Sequence, residues 1–326
     1  MRATPIALRF VSLLAILAWL PPSAMAADRE DRRDFWIDVY RGEPLRNEDV
    51  LDDLAGAGVV YLGEFHTLAE HHAVQEQVLT DLAKRGKPLV LGMEQLESPQ
   101  QPAVDRYNRG EINFEQLAEA VKWPQSWVNY QQYKPLVEAA RKFKVPVLAL
   151  NARAATIHQV MAGGGVDRLD AKLRGELPKD VQTDDPLYQK LLNLELMVHM
   201  KANPAMLRPW VEAQIARDEA MASTLCTFLK SDAGRGRLAV VICGNGHISY
   251  GLGTPARVRR RMPQIKDRIV LQSASGDLLL SPQEAKAARA FALTHEQLRQ
   301  IDRSIGDYLR VTSLKQEKPT PKKGRS

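Results

Sequence analysis

Only two of the 326 residues are cysteine, Cys226 and Cys243, so a hydrophobic core rather than a disulfide framework has to hold this chain together. Cys226 falls in a helical pattern and Cys243 ends an apolar strand, which predicts two buried free thiols; a bond between them would need a short Cα separation. Long apolar runs are missing too. The longest, Phe10 to Leu20, falls well short of the about 20 residues that span a bilayer. Several catalytic signatures are absent. There is no G-x-S-x-G elbow and no Walker lysine motif, and His66-Thr67-Leu68-Ala69-Glu70-His71-His72 has the wrong order and spacing for H-E-x-x-H. No repeat of fixed period is found. Excess charge is also missing from the body of the chain. The formal +6 resides in Arg2 and Arg9 at one end and in Lys315, Lys318, Lys322, Lys323 and Arg325, against Glu317, at the other. A near-neutral body argues against a nucleic-acid partner, which needs a folded basic patch.

What is present begins with a leader. Arg2 and Arg9, the apolar stretch Phe10 to Leu20, the helix-breaking Pro21-Pro22 and Ala24-Met25-Ala26 together read as a secretory signal peptide, residues 1–26. No cysteine near the cleavage site offers a lipid attachment point. The mature protein is therefore expected to be soluble, without a transmembrane segment, in the periplasm or outside the cell. Residues 27–312 are expected to form a single domain. The tail 313–326, rich in Lys and Pro, is expected to be basic and disordered.

Inside the domain, short β-branched runs alternate with amphipathic stretches. This is the pattern of an α/β fold with a mainly parallel central sheet flanked by helices. The strands are Val59 to Leu62, Leu89 to Leu91, Val145 to Leu150, Leu238 to Ile242 and Ile269 to Leu271, each apolar enough to be buried on both faces. A pair around Ser275-Gly276 fits an edge hairpin. Leu68 to Lys84 predicts a helix with Val74, Val78 and Leu82 on one stripe, and Tyr133 to Phe143 predicts another. Residues 155–230 carry no strand signal and read as a helical insertion between the third and fourth strands, a lid over one edge of the sheet.

Four strands run directly into polar side chains: Gly63-Glu64-Phe65-His66, Gly92-Met93-Glu94-Gln95, Asn151-Ala152-Arg153 and Cys243-Gly244-Asn245-Gly246-His247. Parallel strands bring their carboxyl ends to one edge, where open α/β sheets bind ligands. Glu64, His66, Glu94, Asn151 and His247 are thus expected to share a site. His71 reads equally as a second ligand and as a surface residue, while His72 is expected to be solvated. His158, His199 and His295 are expected to be structural or exposed. Arg217-Asp218-Glu219 and Met221 read as a solvated, ion-paired helix face unless the lid dips them into the site. Gly244-Asn245-Gly246 is a weak phosphate-nest signal.

In these residues the chain resembles the ChaN-type haem-binding family of the Tiki superfamily. The likeness runs through Gly63-Glu64-x-His66, His71-His72 and Gln75, Gly92-Met93-Glu94, Trp127-x-x-Tyr130-x-x-Tyr133, Ala149 to Ala152, Arg217-Asp218-Glu219-x-Met221-Ala222, and Gly244-x-Gly246-His247-x-x-Tyr250-Gly251-x-Gly253-x-Pro255. It implies haem binding in iron acquisition or storage, with haem held face to face between two protomers of a homodimer and ligated by tyrosine. Tyr250 is the first candidate, with Tyr130, Tyr133 and Tyr188 as alternatives. His247, His66, His71, Asn151 and Arg217 would complete the haem site. The superfamily also contains hydrolases, which implies an alternative: a peptidase or esterase in which Glu64 and Glu94, with His66 and His247, hold zinc, manganese or iron or activate water. A partner-binding protein with a vestigial site is a third reading.

Overall fold

A computed structural model describes residues 35–127, 129–200, 204–273 and 301–312. The expected leader, the hairpin around Ser275-Gly276, His295 and the basic tail lie outside the described residues. In chain order the elements are β1 (Phe35–Asp38), β2 (Glu43–Leu45), α1 (Asn47–Ala55), β3 (Val59–Glu64), α2 (Ala69–Lys84), β4 (Leu89–Glu97), α3 (Gln101–Asn108), α4 (Phe114–Ala120), α5 (Trp123–Ser126), α6 (Lys134–Lys142) and β5 (Val147–Asn151). There follow α7 (Ala154–Gly163), α8 (Ala171–Arg174), α9 (Pro186–Met200), α10 (Pro204–Lys230), β6 (Leu238–Gly244), α11 (Thr254–Arg261), β7 (Asp267–Gln272) and β8 (Tyr308–Val311).

The strands form one eight-stranded sheet in the order β2-β1-β8-β7-β3-β6-β4-β5. From β8 to β5 every pair is parallel. The antiparallel β1 and β2 complete one edge. Neither these two strands nor β8 stands out as an apolar run in the sequence, because each is only three or four residues long and carries or adjoins charged residues. Pro44 sits in β2, an edge strand, where its missing N–H breaks no central ladder.

Period-two alternation divides the strand residues between two cores. Val60, Leu62, Leu91, Met93, Val240 and Ile242 pack beneath α1, α2, α3 and α6. Val59, Tyr61, Val90, Leu150, Val241 and Cys243 pack on the other face against Met221, Ala222, Leu225 and Leu229 of α10. Burying each such aliphatic side chain contributes about 1.5–3 kcal/mol, which is why the central strands tolerate so little polarity until their ends. The stretch expected as a lid is helical, but α10 is a structural layer on one face of the sheet rather than a flap over its edge. No helix among the described residues is long and apolar enough to cross a membrane. Cys226 and Cys243 are free and buried; burial pushes the Cys226 thiol up to about 11 and that of Cys243 well above its ordinary value, so both stay protonated and inert.

Candidate functional site: two carboxylate networks at one sheet edge

Glu64 is the last residue of β3 and is fully buried. Its even-numbered position places it on the face of Leu62, beneath α2 and α6. Five donors converge on its carboxylate. Oε1 accepts from His66 Nδ1 at 2.7 Å, Gln95 Nε2 at 2.9 Å and the Tyr133 hydroxyl at 2.5 Å. Oε2 accepts from Gln75 Nε2 at 2.7 Å and faces His72 Nδ1 at 3.3 Å. Burial alone would raise its pKa, but the hydrogen bonds from His66 and His72 outweigh it and hold the carboxyl far below the ordinary range. Burial likewise pulls His72 down, and the Glu64 carboxylate more than restores it, leaving the imidazole raised. His72 Nε2 donates to the His66 carbonyl at 3.1 Å, and Asn129 donates to the same oxygen. The loop that carries His66 is thus fixed from below.

His72, expected in solvent, is buried. The error lay in the stripe: the buried face of α2 also includes His71, His72, Gln75 and Leu79, a wider arc than Val74, Val78 and Leu82 alone define. His71 is buried as well, with both ring nitrogens on backbone. Nδ1 accepts from the Phe65 N–H at 3.0 Å, so Nε2–H donates to the Ser273 carbonyl at 3.2 Å. Burial lowers its pKa and keeps it neutral. His71 therefore ties β3 to the segment after β7 and has no nitrogen left for a ligand.

A second network occupies the opposite face. Glu94, on the same strand face as Val90, accepts from the Gly244 N–H at 2.7 Å and lies 3.2 Å from His247 Nε2. His247 Nδ1 donates to Asp218 of α10 at 2.8 Å. Asp218 also accepts from the Tyr188 and Thr254 hydroxyls, each at 2.7 Å. Burial disfavours the imidazolium, but the charges of Glu94 and Asp218 win, raising His247 while its charge holds Glu94 low. Asp218 and Glu219, expected on a solvated face, are buried. Glu219 is clamped by Arg260 at 2.7 Å and Arg261 at 2.6 Å. Asn151 donates to the Glu94 carbonyl at 3.0 Å and accepts from Arg217 at 3.4 Å.

The five residues expected to share a site thus gather at the carboxyl edge, yet on two faces of the sheet. They meet over Gly244, the partner of Glu64 in the β3–β6 register. A Cβ on Gly244 would lie 2.8 Å from His66 Nε2 and 3.7 Å from Glu94 Oε2, so only glycine lets the His66 ring lie across the strand end. His66 itself is 37% exposed, stands edge-on to Trp127 at 4.8 Å, and has no hydrogen-bond partner on Nε2 among the described residues. Burial lowers its pKa, but the Glu64 hydrogen bond and the Glu94 charge leave it raised.

The tyrosines sort by environment. Tyr133 and Tyr188 are buried and engaged by Glu64 and Asp218. Tyr130 accepts a hydrogen bond from Gln131. Tyr250 is half-buried at φ 60°, outside the Glu64 and Glu94 networks; burial, then the charge of Glu195, raises its phenol. Among the described residues no group of three or more His, Cys, Asp or Glu is arranged to hold a metal ion, because the expected set of Glu64, His66, Glu94 and His247 is turned inward into hydrogen-bonded pairs. His158 is exposed. Sequence reasoning missed the network roles of Gln75, Gln95, Tyr133, Asp218, Tyr188 and Thr254. Strand parity could have placed Gln95, two residues beyond Met93, on the Glu64 face.

Residues 50–258 match the family described as "Haem-binding uptake, Tiki superfamily, ChaN". Among solved structures, the chain is similar to ChaN of Campylobacter jejuni, whose structure is titled for cofacial haem binding: 19% identity, 86% of this chain and 97% of that chain covered, TM-score 0.64. An erythromycin esterase mutant, EreC in its open conformation, is more distant, at 13% identity over 85% of this chain and 97% of that one, with a TM-score of 0.44. A curated relative in Arabidopsis thaliana, the chloroplastic protein RETICULATA-RELATED 5, is 24% identical over 272 residues; the match covers 76% of this chain and 36% of that protein. The family match spans well over half of the sequence, including both carboxylate networks. The chain belongs to the haem-binding uptake family ChaN of the Tiki superfamily.

Proposed function

We propose that the chain is an exported haem-binding protein of iron acquisition or storage, with His66 as the side chain that meets the iron. One observation supports this above the others. The Nδ1–H of His66 is held by the Glu64 carboxylate while Nε2 carries no hydrogen bond among the described residues, on a half-exposed ring. That is how proteins commonly present an imidazole to a metal: the carboxylate fixes the tautomer, orients the ring and strengthens the donor. Haem, when bound, would supply the iron that accepts this nitrogen. Tyr250 is less well prepared, since no hydrogen bond among the described residues orients its hydroxyl as Glu64 orients His66. The hydrolytic alternative would use Glu64 as base toward water, but five donors already occupy its two oxygens.

A haemin titration of the chain from Ala27 onward, followed by Soret absorbance, tests the reading. Saturable binding is expected, with His66→Ala shifting the Soret band and weakening binding at least tenfold, and Tyr250→Phe leaving both unchanged. The reverse pattern would move ligation to the tyrosine. Non-saturable binding that ignores both substitutions would remove the haem reading itself.

A further inference from the structure

Beside the Glu94 network lies a cavity of about 220 Å³ between α7, α9 and α10. Its walls are Ile157, Met161, Leu192, Leu196 and Trp210; the Trp210 side chain is 43% exposed at the surface. Three polar residues line it as well: Glu195, Gln214 and Arg217. The Gln214 amide lies against the His247 ring, so the cavity adjoins the buried His247–Asp218 pair. Arg217 forms no ion pair among the described residues, and its hydrogen bond to Asn151 is long at 3.4 Å. The neighbouring arginines behave differently: Arg208 and Arg257 are both matched to carboxylates. A guanidinium with no ion pair among the described residues, set in a largely apolar cavity, calls for an anion with an apolar body.

We propose that this cavity receives a carboxylate carried on an apolar ligand, with Arg217 as its counter-charge. Ligand pockets usually start at about 300 Å³, so the space suits one arm or edge of a larger molecule, or a small acid. Two sources supply that chemistry. One is a haem propionate, an assignment that rests on the haem reading; the other is a free aliphatic carboxylic acid, which does not.

Glu195 decides when the cavity is open to an anion. Burial raises its carboxyl to about 7, against the charge of His247, which acts to lower it. The other groups near Glu195 are the neutral phenols of Tyr188 and Tyr250, whose own ionisation its charge opposes, while Arg217 on α10 lines the same cavity. Below pH 7 the neutral Glu195 leaves Arg217 as the dominant charge of the cavity. Above it, the ionised Glu195 places a negative charge in the cavity wall and repels a second carboxylate.

The test uses iron-free protoporphyrin IX, which removes iron ligation by His66 from the measurement, its dimethyl ester, and octanoate, all read by Trp210-dependent fluorescence or calorimetry on the full chain. Protoporphyrin is expected to bind about tenfold more weakly at pH 8 than at pH 6, the ratio of neutral Glu195 at the two pH values. Glu195→Gln should flatten that ratio. Arg217→Gln, with its unfolding midpoint checked, should weaken binding at least about tenfold, and the dimethyl ester should bind as weakly to the wild type. Octanoate binding that depends on Arg217, with protoporphyrin binding that does not, assigns the cavity to free acids. If Arg217→Gln changes neither ligand, the proposal is overturned. A haemin Soret shift surviving in Arg217→Gln would then leave the haem reading standing alone, whereas loss of every Soret shift with octanoate binding retained would remove haem and keep the cavity.

Discussion

At the scale of single residues, the two carboxylates at the strand ends have opposite consequences for their histidines. Glu64 is saturated and frees one nitrogen of His66; Glu94 and Asp218 together consume both nitrogens of His247. His247 is therefore a buried cation that holds the second network together. Its pKa is raised above the ordinary 6.5, so the stability it contributes is complete below that value and disappears as pH climbs through the raised one. Glu94 is lowered, so its share is complete above the usual carboxyl range and is lost in strong acid. His247→Gln should cost about 3–5 kcal/mol at neutral pH, as does leaving buried carboxylates without their cation. The gap to wild type should close at strongly alkaline pH. Urea unfolding midpoints across pH 6 to 11 check this; a gap independent of pH would show that the imidazolium is not the source. At this scale the sequence was partly legible. Glu64, His66, Glu94, Asn151 and His247 could be picked out because polar side chains abruptly follow apolar strands. Asp218 could not, because on a helix nothing but tertiary packing separates a buried carboxylate from a solvated one.

At the scale of elements, strand alternation accounts for the division of the site into two. Residues 62 and 64 share a face with 93 and 95, while 90 and 94 share the other, so the carboxylates of β3 and β4 look away from one another. The central parallel strands were readable because burial on both faces demands uninterrupted apolar residues. The short edge-side strands β1, β2 and β8 leave no such trace. Where the two networks approach, β6 offers Gly244. Gly244→Ala should fold with little loss of stability, since the half-exposed His66 ring can swing aside. Its Cβ should nevertheless displace that ring, weakening haemin binding several-fold and shifting the NMR titration of His66 toward the ordinary imidazole value. An unchanged His66 titration would show that the ring does not lie over the strand end.

For the molecule as a whole, charge and topology point the same way. The near-neutral body and the basic ends were apparent from composition, as was the α/β class; the conversion of the expected lid into a structural layer was not, because a helix that covers a sheet face and one that covers an edge share the same amphipathic pattern. Export is proposed from the leader, and it makes a simple prediction. The chain recovered from a periplasmic fraction should begin at Ala27 by N-terminal sequencing, and recovery of the species beginning at Met1 from the cytosol alone would overturn it.

The Glu64 network is built on β3, β4 and α2, whereas the apolar cavity walls come from α7, α9 and α10, outside the sheet. A substitution at Leu192 or Met161 alters the shape offered to a ligand without disturbing any hydrogen bond to Glu64. The two parts are thus mechanically separable: each residue around Glu64 serves several partners at once, whereas an apolar residue of the helical wall serves packing alone.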